Sequence, residues 1–167
     1  MERVAKFEKV SIEQFTESFN KSFPDCYDTE KIYENINLPK RATSGSCGYD
    51  FFSTVDVSLK PGESVAIPTG IRCQMRDDYA LFIFPRSGLG FKFRLQLANT
   101  VGVIDSDYYG SDNEGHIHIK ITNDSKEGKV LEFKEGTAFA QGVFISYGIT
   151  EDDDVSTVRN GGMGSTG

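Results

Sequence analysis

The sequence His-Ile-His-Ile-Lys-Ile, residues 116–121, alternates strictly between a basic side chain and an isoleucine. In a β-strand successive side chains point to opposite faces, so the three isoleucines share one face and the basic residues share the other. This stretch therefore predicts a strand with one face in a hydrophobic core.

The same character extends outward from residues 116–121 in both directions. Between Tyr49 and Tyr147, short β-branched and aromatic runs are separated by turn-forming clusters such as Lys60-Pro61-Gly62 and Asn123-Asp124-Ser125. Short runs at this regular spacing are typical of an all-β sandwich or barrel.

The first 37 residues have a different pattern. Ser11 and Gln14 have the spacing of a helix-capping box, and phenylalanines follow at helical intervals. The expected elements are a strand over residues 5–10, a helix that Pro24 ends, and a second helix that begins at Asp28. We interpret the helical segment 11–36 as a packing cap on the main body, with docking of a partner protein as the alternative.

Bulk properties restrict the class of protein. A chain of 167 residues and 18.5 kDa is large enough for one domain with its own core. The net charge of -7 opposes attraction to nucleic acid or an anionic membrane. The three cysteines form no Cys-x-x-Cys pair and there is no export signal, so we expect small buried thiols in a reducing, cytoplasmic setting.

An acidic run at residues 151–154 precedes a glycine-rich end, in which four of the last seven residues are glycine. Such a segment has little to bury, so we expect residues 151–167 to form a flexible lid whose glycines let backbone amides approach a ligand. Three units are therefore predicted: an extension over 1–37, a β core over 38–150, and this lid.

The most informative chemistry lies in residues 98–110, Ala-Asn-Thr-Val-Gly-Val-Ile-Asp-Ser-Asp-Tyr-Tyr-Gly. An apolar strand turns at Gly102 and delivers Asp105, Asp107 and Tyr108 to one place. A rigidly held carboxylate can orient a water molecule, and an aromatic face can stack beneath a sugar. The pattern points to a hydrolytic nucleotide site.

A second candidate follows the apolar run 81–84, where the chain continues Pro85-Arg86-Ser87-Gly88-Leu89-Gly90. An arginine, a hydroxyl and glycine-exposed amides suit a phosphate chain, although the same residues also occur in ordinary turns. The turn lacks the ending of a P-loop, and Ser87 lacks a nucleophile elbow, so we interpret Ser87 as a hydrogen-bond donor.

The pair His116 and His118 imitates a cupin metal segment together with Gly110. A cupin would need an acid four or five residues after the second histidine, where Thr122 and Asn123 stand, and a further histidine that the chain does not contain. The residues therefore give a metal site here little support.

Five segments follow one another along the chain: Cys47-Gly-Tyr-Asp-Phe51, Pro85-Arg-Ser-Gly-Leu89, Gly102-Val-Ile-Asp-Ser-Asp-Tyr108, Gly136-Thr-Ala-Phe-Ala-Gln141, and residues 159–167. This set resembles the five motifs of the homotrimeric dUTPase family. The resemblance extends over about residues 38–167, and its third motif is the most specific.

The resemblance implies an all-β, jelly-roll-like dUTPase β barrel with a short N-terminal helical extension, assembled as a homotrimer whose active sites draw on three chains. It implies a dUTP diphosphatase that produces dUMP and pyrophosphate. Such an enzyme keeps uracil out of DNA and supplies dUMP for thymidylate synthesis.

The family resemblance also implies roles for residues that match its motifs. Asp105 would hold the attacking water and touch the 3′-hydroxyl, while Tyr108 would pack under deoxyribose and exclude a 2′-hydroxyl. Mg²⁺ would be held mainly by phosphates and water, with Asp50 acting through a metal-bound water. The other implied substrate-binding residues are Asn99, Gly102, Val103, Ile104 and backbone near His118 for uracil; Arg86, Ser87, Gly88 and Gln141 for phosphates; and Arg159, Met163, Gly164 and Ser165 in the lid.

Three departures from the family pattern are visible. Met163 stands where a phenylalanine usually stacks on uracil, which substitutes a softer thioether contact. Ala138 occupies a position that is often basic, and residues 111–115 lengthen the turn after Tyr109.

The alternative functions are a dCTP deaminase and a regulatory nucleotide-binding module. A dCTP deaminase would need a glutamate on the strand that here carries His116, His118 and Lys120. A regulatory nucleotide-binding module would use the 11–36 segment to meet a partner, but joint retention of Asp105, Arg86 and Arg159 argues against an inactive site.

Overall fold

The computed structural model describes residues 1–25, 28–159 and 161. Three helices, one 3₁₀ helix and twelve strands are formed by these residues. In chain order the elements are β1 (Ala5–Lys9), α1 (Ile12–Ser22), α2 (Thr29–Asn35), β2 (Lys40–Arg41), β3 (Tyr49–Phe52), β4 (Val57–Leu59), β5 (Ser64–Pro68), β6 (Ile71–Met75), β7 (Tyr79–Pro85), α3 (Ser87–Phe93), β8 (Leu95–Leu97), β9 (Gly102–Ile104), the 3₁₀ helix (Ser106–Gly110), β10 (His118–Asn123), β11 (Leu131–Phe133) and β12 (Ala138–Ser146).

The strands pair in four sheets within the described residues. The largest has the order β2-β3-β12-β7-β9, and the others are β5-β10-β8, β1-β6 and β4-β11, with every pair antiparallel. The prediction of a mostly β protein is confirmed, although these described strands form separate sheets and no closed barrel. Strand β12 is central because it pairs with both β3 and β7.

The alternation in residues 116–121 has the predicted effect on the isoleucines. Ile117, Ile119 and Ile121 are all buried in the main core, and Lys120 is exposed. His116 is also buried, because helix α1 covers that part of the other face. The strand pattern alone would leave the His116 face of this segment exposed to solvent. Helix α1 buries that part of the face.

The N-terminal elements match the sequence prediction closely. Strand β1 pairs with β6, and helix α1 follows Ser11, whose hydroxyl accepts a hydrogen bond from the Gln14 N–H. Phe15 and Phe19 are fully buried in a second, smaller core cluster with Val10. This burial supports the interpretation of the segment as a packing cap.

The capping box is completed by a different residue from the one expected. The Gln14 amide donates to the Ser18 hydroxyl, whereas the Glu114 carboxylate accepts hydrogen bonds from the Ser11 N–H at 2.7 Å and from its hydroxyl at 2.6 Å. These bonds hold the pKa of Glu114 below its usual value. The start of α1 is thus tied to the turn after the 3₁₀ helix.

The cysteines follow the expectation only in part. Cys73 is buried, and its burial raises the pKa of the thiol to about 12, whereas Cys47 is exposed. Burial of Cys47 was wrongly expected, because it precedes β3 at the surface; Cys26 lies outside the described residues. No helix of the described chain combines the length and apolar character that crossing a bilayer requires.

Candidate functional site

The carboxylate of Asp105 lies where strand β9 leaves the core. Ile104 is buried and pairs with Leu81 of β7, which fixes the end of the strand. Asp105 then caps the 3₁₀ helix in extended backbone conformation, and the side chains of Asp105 and Asp107 are each 53% exposed. A buried strand end thus presents two adjacent acids to solvent.

Arg159 connects the C-terminal tail to both acids. Its Nη2 donates to Asp105 Oδ2 at 2.5 Å and its Nε donates to Asp107 Oδ1 at 2.8 Å. Only 11% of the Arg159 side chain is exposed, and its guanidinium carbon lies 5.7 Å from the centre of the Tyr108 ring. Sequence analysis identified Arg159 as a ligand-binding cation but did not identify these partners.

The Tyr108 hydroxyl group both donates and accepts a hydrogen bond. The side chain is 3% exposed, its hydroxyl donates to the His116 carbonyl at 2.9 Å, and the Asn113 amide donates to it at 2.9 Å. Burial raises the pKa of this hydroxyl, so it stays neutral. The ring is therefore a fixed, uncharged aromatic surface under Arg159.

A second group of candidate residues gathers at the end of β7. Strand register sets Gln141 of β12 opposite Asp50 of β3 and Phe84 of β7. The Arg86 Nε lies 3.3 Å from Asp50 Oδ1, and the Gln141 amide donates to the Pro85 carbonyl at 3.2 Å.

The segment that follows β7 is helical: residues 87–93 form α3, so the prediction of a glycine-rich turn after Pro85 was wrong. Arg86 precedes helix α3, Ser87 is its first residue, and a Cβ added at Gly88 would meet no atom within 4 Å. The arginine, the hydroxyl and an accessible main chain are nevertheless adjacent, at the start of helix α3.

The turn between β8 and β9 contains the residues expected to contact a base. Thr100 adopts a left-handed backbone conformation, with φ of 69°, and bridges back to Leu97. Asn99 at its tip is exposed. Gly102 and Val103 follow in β9, the last strand of the largest sheet, so one edge of β9 has no strand partner within that sheet.

His118 is placed differently from the other predicted residues. The neighbour of the β8–β9 turn on β10 is Lys120, whose carbonyl accepts from the Ala98 N–H at 2.9 Å. His118 pairs with Pro68, and its ring lies 4.2 Å from that of His116 on the α1 side. The His118 Nδ1 lies 3.1 Å from the His116 carbonyl, which also accepts from the Tyr108 hydroxyl, so the His118 ring lies near the hydroxyl end of Tyr108.

The histidine pair is also poorly suited to a metal. His116 Nε2 accepts a hydrogen bond from the Gly70 N–H at 2.9 Å, so Nδ1 carries the proton that faces the Ser18 hydroxyl at 3.2 Å. Burial lowers the pKa of His116 to about 3 and also lowers that of His118. Within the described residues, no three histidine, cysteine or acidic side chains form a metal-binding group.

The remaining predicted site residues, Met163, Gly164 and Ser165, lie outside the described residues. Sequence reasoning also missed Asn113 as a partner of Tyr108 and Glu114 as a partner of Ser11. The one signal available for them was the lengthened turn at residues 111–115, which marks an addition without revealing what it contacts.

Comparisons with known proteins converge on one family. A family model described as dUTPase matches residues 34–167. The deoxyuridine 5'-triphosphate nucleotidohydrolase of Lactococcus lactis is 42% identical over 140 residues, which cover 81% of this chain and 92% of that protein. The protein of the same name from Shigella sonnei is 34% identical over 145 residues, which cover 82% and 91%.

Solved structures give the same result. The crystal structure of the dUTPase from Streptococcus mutans aligns with a TM-score of 0.65 at 32% identity and covers 87% of this chain and 98% of that one. The dUTPase of Staphylococcus aureus phage phi11, in which a structural Mg(II) ion is coordinated, aligns with a TM-score of 0.64 at 21% identity, covering 93% and 98%. The second likeness concerns the fold alone.

Proposed function

This chain belongs to the dUTPase family, and we propose from that premise how its own residues carry out the reaction. The protein is a dUTP diphosphatase, which hydrolyses dUTP to dUMP. The observation that carries the residue assignments is the gathering of Asp105, Tyr108 and Arg159 at one surface.

Asp105 orients the attacking water. Its carboxylate is half-exposed, while its backbone is fixed by the end of β9 and the start of the 3₁₀ helix. A carboxylate held in this way accepts a hydrogen bond from water and aims the oxygen at the α-phosphorus. The new phosphorus–oxygen bond forms as the bond to the bridging oxygen breaks, the water proton passes to the Asp105 carboxylate, and pyrophosphate leaves with the bridging oxygen.

Tyr108 forms the floor for the deoxyribose. A buried, neutral ring that cannot move leaves a fixed space above it, and a 2′-hydroxyl would have to enter that space without a polar partner. Arg159 now lies over this ring. We infer that a bound triphosphate draws Arg159 from the two carboxylates onto its phosphates, bringing residues 161–167 over the ligand.

The uracil edge is recognised by main-chain groups of residues 99–104. Strand β9 is at a sheet edge, and the unpaired backbone donors and acceptors of an edge strand can bind a base as they would bind another strand. The exposed Asn99 amide adds a side-chain contact. His118 contributes through nearby backbone rather than through its ring.

The phosphates bind at Arg86, Ser87, Gly88 and Gln141. The donor set there also fits Mg²⁺ carried by phosphates: a single carboxylate, Asp50, 16% exposed, stands beside Arg86. Magnesium keeps several waters and needs few protein ligands, so Asp50 would hold it through water. When bound, the ion would neutralise charge that develops on the phosphates.

The two groups of residues lie apart within one chain, which supports active sites shared between subunits. Ile104, next to Asp105, pairs with Leu81, whereas Arg86 directly follows β7, five residues beyond Leu81. At about 3.3 Å per residue this separation is roughly 16 Å. The α-phosphate is bonded directly to the sugar, so this separation favours a homotrimer in which different subunits supply the two groups to one nucleotide.

We also propose a sheet arrangement, domain bounds and a cellular compartment for this chain. We propose that the four sheets form the jelly-roll-like arrangement of the family, with residues 1–37 as an extension, 38–150 as the core and 151–167 as the lid. Free thiols at Cys47 and Cys73 favour a reducing compartment such as the cytoplasm.

A nucleotide panel tests the proposal. The protein is incubated with dUTP, dTTP, dCTP or UTP, with and without Mg²⁺, and pyrophosphate is measured. We expect rapid release from dUTP only, and loss of release when Mg²⁺ is chelated. Equal release from UTP would overturn the role of Tyr108, and binding of dUTP without pyrophosphate release would favour a regulatory module.

The same set of nucleotides distinguishes a dUTP diphosphatase from a dCTP deaminase when ammonia is also measured. Strand β10 presents Lys120 to solvent and has no acidic residue, which disfavours deamination of cytosine. Release of ammonia from dCTP would contradict this assignment.

A further inference from the structure

The N-terminal extension is joined to Tyr108 by a continuous set of hydrogen bonds. Residues 1–33 lie outside the part of the chain that the family model matches. Yet helix α1 and the Ser11 that precedes it meet residues 111–116 at two points: Ser11 binds Glu114, and Ser18 faces His116. The lengthened turn and the extension therefore form one structural unit.

The turn in this unit is held directly against the tyrosine. The Asn113 side chain donates to the Tyr108 hydroxyl at 2.9 Å, and its amide oxygen Oδ1 accepts from the Gly115 N–H at 3.2 Å. A Cβ at Gly115 would lie 2.7 Å from the Tyr108 carbonyl oxygen. Movement of the turn would therefore move the tyrosine hydroxyl and backbone together.

The N-terminal extension also contacts Tyr109, the residue that follows Tyr108. The Tyr109 hydroxyl donates to Glu8 of β1 at 2.7 Å, while Arg72 donates to the Tyr109 carbonyl at 2.8 Å and lies 3.6 Å from the centre of its ring. Strand β1 and helix α1 thus restrain the 3₁₀ helix on one side. On the other side, the Arg159 guanidinium lies over the Tyr108 ring.

We propose that Asn113, held in place by the Glu114–Ser11 contact with helix α1, is a positioning residue that fixes Tyr108 and thereby sets the selectivity for deoxyribose over ribose. This inference rests on the proposed role of Tyr108 as the floor for the sugar. The extension then acts as a support of the specificity site, rather than only as a cap on the core.

Selectivity against ribose depends on the stiffness of the Tyr108 ring. Rejection of a 2′-hydroxyl requires that the ring not yield, because a ring that shifts slightly admits the larger sugar. Among the described residues the Tyr108 hydroxyl has two partners, Asn113 and the His116 carbonyl, and loss of the Asn113 bond leaves the second of these. Asn113 should therefore affect the ratio between two substrates more than the rate with the better one.

The test compares kcat/KM for dUTP and for UTP in the full-length protein. Asn113→Ala should lower the dUTP/UTP ratio about fivefold to tenfold, as expected for loss of one hydrogen bond, mainly by raising kcat/KM for UTP. Asn20→Ala, a matched change at an exposed position of α1, should leave the ratio unchanged.

A double-mutant cycle separates positioning from general destabilisation. In a Tyr108→Phe protein the hydroxyl is absent, so adding Asn113→Ala should change the ratio by less than about twofold. If Asn113→Ala fails to fold, Glu114→Gln provides the same test through the Ser11 contact and should lower the ratio by about twofold to fivefold.

Three outcomes are distinguishable. A fall in the ratio that disappears in the Tyr108→Phe background supports the proposal. An unchanged ratio in folded Asn113→Ala, or the same fall in both backgrounds, overturns it while leaving the assignment of Asp105 intact. If wild-type protein does not prefer dUTP to UTP, the proposed role of Tyr108 fails, and this proposal fails with it.

Discussion

The Arg159 guanidinium and the Asp105 carboxylate form a hydrogen-bonded ion pair at 2.5 Å, although 54 residues separate them in the chain. The pair brings a cation from the C-terminal tail to the acid that we assign to the attacking water. We expect phosphates to compete for the same guanidinium, so that substrate binding would release Asp105 from Arg159.

Replacing Asp105 by asparagine should abolish most turnover and preserve binding. The amide cannot accept a proton from water, and loss of a general base typically costs about a hundredfold to ten-thousandfold in rate. Pyrophosphate release from dUTP measures turnover, and titration with a non-hydrolysable imido analogue of dUTP measures binding. Asp107→Asn, which removes the other Arg159 partner, should reduce turnover far less; near-normal turnover in Asp105→Asn would remove its assigned role.

Arg86→Lys should weaken phosphate binding. Lysine keeps the positive charge but lacks the planar pair of donors that matches phosphate oxygens, so we expect KM for dUTP to rise roughly tenfold. The matched control is Arg76→Lys, because Arg76 forms an exposed ion pair with Asp78 outside the candidate site. Steady-state kinetics of both variants decides the question, and an equal KM for the two would contradict the phosphate assignment.

Removal of residues 161–167 should impair catalysis more than folding. The described core ends at Ser146, and the truncated chain retains both that core and the Arg159 contacts with the two acids. We expect kcat/KM for dUTP to fall by at least about tenfold through loss of closure, with a melting temperature close to that of the full chain. Equal activity with and without these residues would contradict the lid assignment.

Stability should decrease as the pH falls below about 6.5. Burial lowers the pKa of His116 to about 3, whereas an unfolded histidine titrates near 6.5. Between these values the unfolded chain binds a proton that the folded chain does not, so the free energy of unfolding falls by up to about 1.4 kcal/mol per pH unit.

The contribution of His116 can be isolated in a His118→Gln background, because the pKa of His118 is also lowered by burial. Urea unfolding between pH 7 and pH 5 should show the slope in that background and a flatter dependence after His116→Gln is added. An unchanged slope would mean that His116 is protonated in the folded protein.

Gly115→Ala should be more destabilising than Gly128→Ala. Both glycines have φ near +70°, which costs an alanine roughly 1 kcal/mol. An added Cβ meets nothing within 4 Å at Gly128, but at Gly115 it lies 2.7 Å from the Tyr108 carbonyl oxygen and from the Tyr109 Cα. Overlap with backbone should add about 1–3 kcal/mol, measured by urea unfolding; equal losses would mean that the turn can move away.

Much of the fold was accessible from local pattern. The alternation at residues 116–121 correctly predicted three buried isoleucines, and Ser11, Pro24 and Asp28 marked helix boundaries within a residue or two. These predictions succeed because side-chain period and capping depend on neighbours in the chain. The burial of His116 could not be predicted in this way, because the covering helix lies about a hundred residues away.

In the candidate site, too, some features follow from local sequence and others depend on contacts between distant segments. Its chemistry was present in short segments of sequence: two acids and a tyrosine after β9, an arginine and glycines after β7, and an arginine before the glycine-rich end. Sequence alone therefore determined which functional groups are available and to which family they belong. Only the tertiary structure decided that Arg159 meets Asp105, that Glu114 completes the cap at Ser11, and that Asn113 holds Tyr108, because hydrogen bonds between distant segments depend on strand register and helix packing rather than on local sequence preference.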